Sequence, residues 1–218
     1  MFSIKINLFF ILTLNLIACT KDRILPVVPP PTVGDATVIA YWNFNQSANP
    51  VELMTANLSV NGGFLSFYGA SNELDYCNGN NVSCFEEVSD GTEMNILEGQ
   101  SAGTALRLRN PCSHLDIRVS TQNYRDLRLS YAVKRTGSGA QSNEIQYSSD
   151  GVTFITLGLM ENNFSVTEDY TIVDLDLSSA SSLNNNSDAV IRIVFTDGNS
   201  NVSGNNRMDN LMLTAKPL

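Results

Sequence analysis

Seven of the thirteen lysines and arginines fall within one stretch: Arg107, Arg109, Arg118, Arg125, Arg128, Lys134 and Arg135. A guanidinium presents a planar fork of N–H donors that grips a carboxylate or sulfate through two parallel hydrogen bonds. The chemistry of such a cluster is recognition of an acidic ligand, for example an acidic glycan. Tyr124 lies in a turn among them and could stack on a sugar ring, and Gln146 adds a polar side chain further on. The opposite charge is gathered upstream. Between Asn72 and Gln100 stand Glu73, Asp75, Glu86, Glu87, Asp90, Glu93 and Glu98, with no lysine or arginine. Paired carboxylates are the equipment of a glycoside hydrolase, and an acidic loop can also collect calcium, but neither a hydrolase spacing nor an EF-hand pattern is present. A plainer reading stands beside each of these. The arginines can be taken up by cross-strand pairs with Asp116, Asp126 or the acidic loop, and the loop can be a solvated insertion. His114, the only histidine, follows Cys112-Ser113 without a matching nucleophile motif, and no GxSxG, HExxH, P-loop or dinucleotide fingerprint occurs. An enzyme is not expected.

Strands must position these side chains. From Asp126 to Arg135, Leu127, Leu129, Tyr131 and Val133 alternate with Arg128, Ser130, Ala132 and Lys134, which is the period of a half-buried strand. Leu106 and Leu108 alternate with Arg107 and Arg109, and Leu115, Ile117 and Val119 with Asp116 and Arg118. The pattern turns Arg107, Arg109, Arg118, Arg128 and Lys134 away from the core, and if their strands are neighbours they form one basic patch. Ile191, Ile193 and Phe195 flank Arg192, and Leu211 and Leu213 follow Asp209 on the same side by alternation. Further strands are expected at 38–44, 63–68, 144–149, 152–157 and 171–177. Trp42, among Ile39, Tyr41 and Phe44, reads as a core residue rather than a sugar platform. Asp150-Gly151 is the strongest hairpin signal, of type I′. About ten short strands with turns between them and no crossover helix define an all-β chain, an antiparallel β-sandwich of jelly-roll type.

The start of the chain carries an address. Lys5, the apolar run from Ile6 to Ile17, small Ala18 and then Cys19 have the layout of a secretory signal and are too short for a spanning helix. With the cysteine at the cleavage point, this stretch resembles a bacterial lipoprotein signal. The resemblance implies removal of residues 1–18, lipidation of Cys19, and residence at the outer membrane or cell surface. Lys21-Asp22 resembles the charged start of surface-export signals in some Gram-negative lipoproteins. Acyl chains contribute about 0.8 kcal/mol per buried methylene, so several hold far more firmly than one. Residues 19–35, with four prolines between Ile24 and Asp35, read as a tether, and residues 36–218 as the sandwich.

Removing the signal takes away one basic residue, leaving 12 basic against 22 acidic side chains, a net charge of −10. That balance argues against nucleic acid, and against adsorption to anionic lipid, so membrane contact would rest on the lipid anchor alone. Of the remaining cysteines, Cys77 and Cys84 are separated by six residues in a Gly- and Asn-rich segment, where export makes a loop disulfide reasonable. Zinc is the competing reading, with no CxxC pair to support it. Cys112 has no evident partner.

Four stretches carry a second resemblance: Tyr41-Trp42-Asn43-Phe44-Asn45, Leu106 to Pro111, Lys134 to Gly139 leading to Tyr147-Ser148-Ser149-Asp150-Gly151, and Gly204 to Leu211. Together they resemble a jelly-roll domain of Gram-negative surface and secreted proteins, similar to carbohydrate-binding modules. The resemblance implies a structural calcium near Asp209, with Asn45 as a further oxygen ligand, although amides stand where a second carboxylate is usual. A solvated or backbone-bonded Asp209 is the alternative. The sequence thus predicts a non-catalytic surface lipoprotein that binds a carbohydrate or other polymer through Arg107, Arg109, Arg118, Tyr124, Arg128 and Gln146. A structural or protein-interaction subunit of a surface assembly is the second reading, and a hydrolase the third.

Overall fold

β-Branched, aromatic and leucine side chains at every second position give each strand one apolar face, and such a face is stable only against another like it. The computed structural model describes residues 29–45, 50–69, 85–110, 112–198 and 204–218. In chain order these form β1 (Thr32–Val33), β2 (Ala36–Trp42), a helical turn α1 (Pro50–Met54), β3 (Leu58–Ser59), β4 (Phe64–Gly69), β5 (Phe85–Val88), β6 (Ala105–Arg109) and β7 (Cys112–Arg118). There follow β8 (Tyr124–Arg135), β9 (Ser142–Ser148), β10 (Asn163–Ser165), β11 (Thr171–Asp176), β12 (Val190–Thr196) and β13 (Asn205–Pro217).

Two antiparallel sheets result. The five-stranded sheet runs β10-β9-β12-β7-β4. The eight-stranded sheet is organised around β13, which pairs with β8 on one side and with β6 and β2 on the other, while β11 extends it beyond β8. From β6 to β9 successive strands alternate between the sheets, and the first long strand pairs with the last, so the sandwich is of jelly-roll type. Leu106, Leu108, Leu129, Tyr131 and Leu213 of one inner face meet Leu65, Phe67, Leu115, Ile117, Ile145 and Ile193 of the other, all essentially inaccessible to solvent. Each such side chain contributes about 1.5–3 kcal/mol by burial. Trp42 is fully buried with them, its Nε1–H donating to the Met54 carbonyl at 3.0 Å. Gly63 packs close beside it: a Cβ there would stand 3.1 Å from the indole, tighter than an ordinary contact.

Three expectations need correction. Residues 32–35, read as tether, already belong to the sandwich: β1 folds back on β2, and Asp35 pairs with Lys216 at 3.0 Å. Asp150-Gly151 does form a turn, but positive φ occurs at Gly151 alone, so it is not type I′. Asp150 Oδ1 instead accepts from the Val152 and Thr153 amides and the Ser148 hydroxyl, and the expected strand at 152–157 shrinks to one bridge between Tyr147 and Ile155. The third concerns β13. Met208 and Leu211 both face the core, with Asp209 and Asn210 between them, and Asn210 has φ of 50°. This bulge inserts one residue and reverses the alternation. Asp209 therefore does not share a side with Leu211 and Leu213; it lies on the outer face of the eight-stranded sheet, opposite Ala132.

Candidate functional site

The outer face of the five-stranded sheet carries polar and aromatic side chains in cross-strand rows. Register places Ser66, Asp116, Arg192 and Gln146 side by side on β4, β7, β12 and β9. Tyr68, His114, Val194 and Glu144 form the next row, and Phe64, Arg118, Val190 and Ser148 the row on the other side. Asp116 is wholly buried, yet it sits on this outer face because Arg192 closes over it with two parallel bonds, Nε to Oδ1 at 2.7 Å and Nη2 to Oδ2 at 3.0 Å. Phe154 lies flat on that guanidinium, its ring centroid 3.4 Å away. At the other flank Tyr68 stacks on His114 with centroids 4.3 Å apart. Gln146 Nε2 donates to Glu144 at 3.1 Å.

His114 is 4% exposed and bonds Ser113 Oγ through Nδ1 at 2.9 Å, while its Nε2 has no hydrogen-bond partner and lies 3.9 Å from Asp116 Oδ1. Burial first, and then the Arg192 charge, push its pKa down to about 4 against the opposing pull of Asp116, so the ring is neutral at physiological pH. No described group of three or more His, Cys, Asp or Glu side chains is arranged to hold a metal.

The arginines expected to form one patch are divided between opposite faces. Arg107, Arg109 and Arg128 stand on β6 and β8 in the eight-stranded sheet, whereas Arg118 and Gln146 are on the five-stranded sheet. Most of their charge is paired. Arg128 grips Asp174 with two bonds of 2.6 and 2.5 Å, and Lys134 and Arg207 converge on Asp90. Burial works to raise the Asp90 pKa, but those two cations outweigh it and hold the carboxyl below its usual range. Arg107 is opposite Arg207 and is itself held below the ordinary value, by burial first and then by Arg109 and Arg207. Tyr124 packs against the core rather than standing free. Thus the acidic stretch does take up part of the basic one, as the plainer reading had it.

Part of that stretch is held to the fold rather than solvated, while Glu93 and Glu98 remain exposed. Residues 90–97 form a strap across the outer face of the eight-stranded sheet. Tyr170 donates to the Asp90 carbonyl, Asn210 Nδ2 to the carbonyls of Thr92 and Met94, and Asn95 Nδ2 to the Asn210 carbonyl. Leu97 packs on Val38, Tyr41 and Met212. Asp209 is fully buried beneath the strap and accepts from the amides of Thr92 and Asn210, each at 2.8 Å. Burial raises its pKa to about 7, and the two amide bonds only partly offset that. Asn45 Oδ1 accepts from the Thr104 amide at 2.7 Å, so each member of the expected calcium pair has its own protein partner and no direct bond joins them. Glu86 stands opposite Arg107 on β5 and Glu87 opposite Leu106. Cys19, Cys77 and Cys84 lie outside the described residues. The pattern of His114, Asp116 and Arg118 on β7 was the available signal for the five-stranded face, but it reads like any solvated edge until Arg192 and Tyr68 are brought beside it.

No family model matches this chain, and no curated protein sequence matches it. Solved structures show loose likenesses. The K2 cleaved adhesin domain of Lys-gingipain has 8% identity and a TM-score of 0.48, with 81% of this chain and 98% of that one covered. A xylan-binding domain of carbohydrate-binding module family 22 has 11% identity and a TM-score of 0.43, covering 82% and 94%. A putative sugar binding protein from Bacteroides thetaiotaomicron has 12% identity and a TM-score of 0.40, covering 83% and 95%. With every score below one half, functional weight falls on this chain's own side chains.

Proposed function

We propose that this chain is a lipid-anchored, non-catalytic surface protein that holds a carbohydrate on the outer face of its five-stranded sheet. The observation that carries this reading is the row of Asp116, Arg192 and Gln146, with the Phe154 ring over Arg192 and the Tyr68 ring stacked on His114 in the adjoining row. Sugar rings present flat C–H faces and edges dense with hydroxyls; aromatic faces suit the first, and fixed forks of donors and acceptors suit the second. Because Arg192 is neutralised by Asp116 and the chain is acidic overall, the ligand is a neutral glycan rather than the acidic one the arginine count alone suggests. Cys19 and the proline tether would present the sandwich at the cell surface. A glycan array probed with residues 20–218 tests the binding claim: neutral oligosaccharides give the signal, Tyr68→Ala and Gln146→Ala remove it, and Arg128→Ala leaves it. An array blank for all glycans sinks it.

One observation favours the protein-interaction alternative. Val152, Leu157 and Met160, on a single loop, are 80%, 77% and 102% exposed, an arrangement more usual at a contact surface than on a free one. Cross-linking on intact cells with and without Leu157→Ser and Met160→Ser separates the two.

A further inference from the structure

At the end of the five-stranded face, where β7 gives way to the turn before β8, lies a pocket of about 320 Å3. Phe64, Arg118 and Val190 line it, and these are the three residues two positions along from Ser66, Asp116 and Arg192, so the pocket continues the polar row without a break. Its far wall is made of Asp150-Gly151 and Asp188, and Gly62 borders it. The volume is at the small end of ligand sites.

We propose that this pocket seats one neutral sugar ring at the end of a glycan, which makes the face a reader of chain ends rather than of chain interiors. The inference rests on the carbohydrate reading of that face. Arg118 supplies the first grip. The only described charged partner of its guanidinium is Asp116, and it reaches Oδ2 of that residue at 3.5 Å, the limit of a hydrogen bond, because the same oxygen already accepts from Arg192 at 3.0 Å. Its side chain is 43% exposed, so its other donors face the pocket. Asp188 supplies the second grip: it is exposed, and Oδ2 accepts only the neighbouring Ser187 hydroxyl. A guanidinium and a carboxylate lining one pocket match adjacent sugar hydroxyls, donating to one oxygen and accepting from the next. The Asp150 carboxylate is committed to its own turn but keeps its charge, so two negative groups oppose one positive one and disfavour a uronate or sulfated ring. Phe64 gives the ring an apolar wall. Gly151 keeps the space open: with φ of 72°, it runs close enough that a Cβ would stand 3.3 Å from Arg118 Nη1.

The test uses the full chain in a detergent without a sugar head group, titrated with glucose, galactose, mannose, xylose and glucuronate while backbone amide NMR signals are followed. At least one neutral monosaccharide shifts Gly62 and Gly151 at millimolar concentration, and glucuronate binds more weakly. Arg118→Ala and Asp188→Ala each lower that affinity tenfold or more, and Arg128→Ala, on the opposite sheet, does not. If oligosaccharides shift Tyr68 and Gln146 while no monosaccharide reaches the pocket, the end-reading inference fails and the glycan face survives. If neither class of sugar shifts any signal, both fall.

Discussion

Asp116 and Arg192 face one another across β7 and β12 in register, joined by bonds of 2.7 and 3.0 Å, and the carboxylate is entirely withdrawn from water. The pair sits on the outer face of a sheet, where polar side chains are ordinarily solvated. Its burial is produced by the guanidinium above it and by the Phe154 ring above that.

Removing the Arg192 guanidinium takes two hydrogen bonds and the nearest counter-charge from Asp116, leaving only the longer 3.5 Å contact to Arg118. Arg192→Ala therefore destabilises the fold by about 3 kcal/mol or more in urea unfolding. Arg128→Ala, which breaks a pair exposed on both sides, costs under about 1 kcal/mol. Equal costs for the two would mean that Asp116 is better solvated than its position implies.

Two buried groups give opposite pH dependences. Asp209 has its pKa raised from 3.8 to about 7, so the native state holds a proton that the unfolded state releases, and stability falls as pH rises from about 4 through 7. His114 has its pKa lowered from 6.5 to about 4, so the unfolded state binds the extra proton, and stability falls as pH drops from 6.5 towards 4. Between pH 4 and 6.5 the two slopes largely cancel in the wild type. Asp209→Asn leaves stability rising with pH over this window, and His114→Gln leaves it falling. Parallel profiles in wild type and both variants would refute the two assignments.

The strap over the eight-stranded sheet hangs on Asn210. Its side chain donates to Thr92 and Met94 and accepts from the Tyr41 hydroxyl at 2.6 Å, and its backbone occupies a left-handed conformation. Asn210→Ala removes three hydrogen bonds and strains the bulge, at roughly 2–3 kcal/mol by unfolding. Hydrogen exchange at the Thr92 and Leu97 amides accelerates with it. Unchanged exchange at those amides would show that the strap is held elsewhere.

Calcium is not required to explain the burial of Asp209, whose oxygens already accept two amide protons. The melting temperature is expected to be the same in excess chelator as in added calcium. A fall on chelation would restore the cation at this place.

The strands were legible because period-two alternation is local: Leu127 to Val133 and Leu115 to Val119 declare their inner face without reference to anything else. Which sheet a strand joins is decided by pairing with partners far away in the chain, as Arg118 with Phe64 and Val190, and Arg128 with Asp176 and Thr214. Arg118 and Arg128 therefore both read as pointing away from the core, yet they emerge on opposite faces. The side of Asp209 was misread for a different reason: an inserted residue at Asn210 reverses the alternation, and only its left-handed backbone reveals it. Asp116 and Arg192 are seventy-six residues apart, so neither announces the other.

The most direct test of the account is NMR mapping with a neutral oligosaccharide selected by the array. Shifts are expected at Tyr68, His114, Arg192 and Gln146 on the five-stranded face, with an affinity that changes by about twofold or less between low and physiological salt, since the Asp116–Arg192 charges there are paired. Shifts confined to Arg107, Arg109 and Arg128 on the opposite face, with affinity falling steeply in salt, would contradict it.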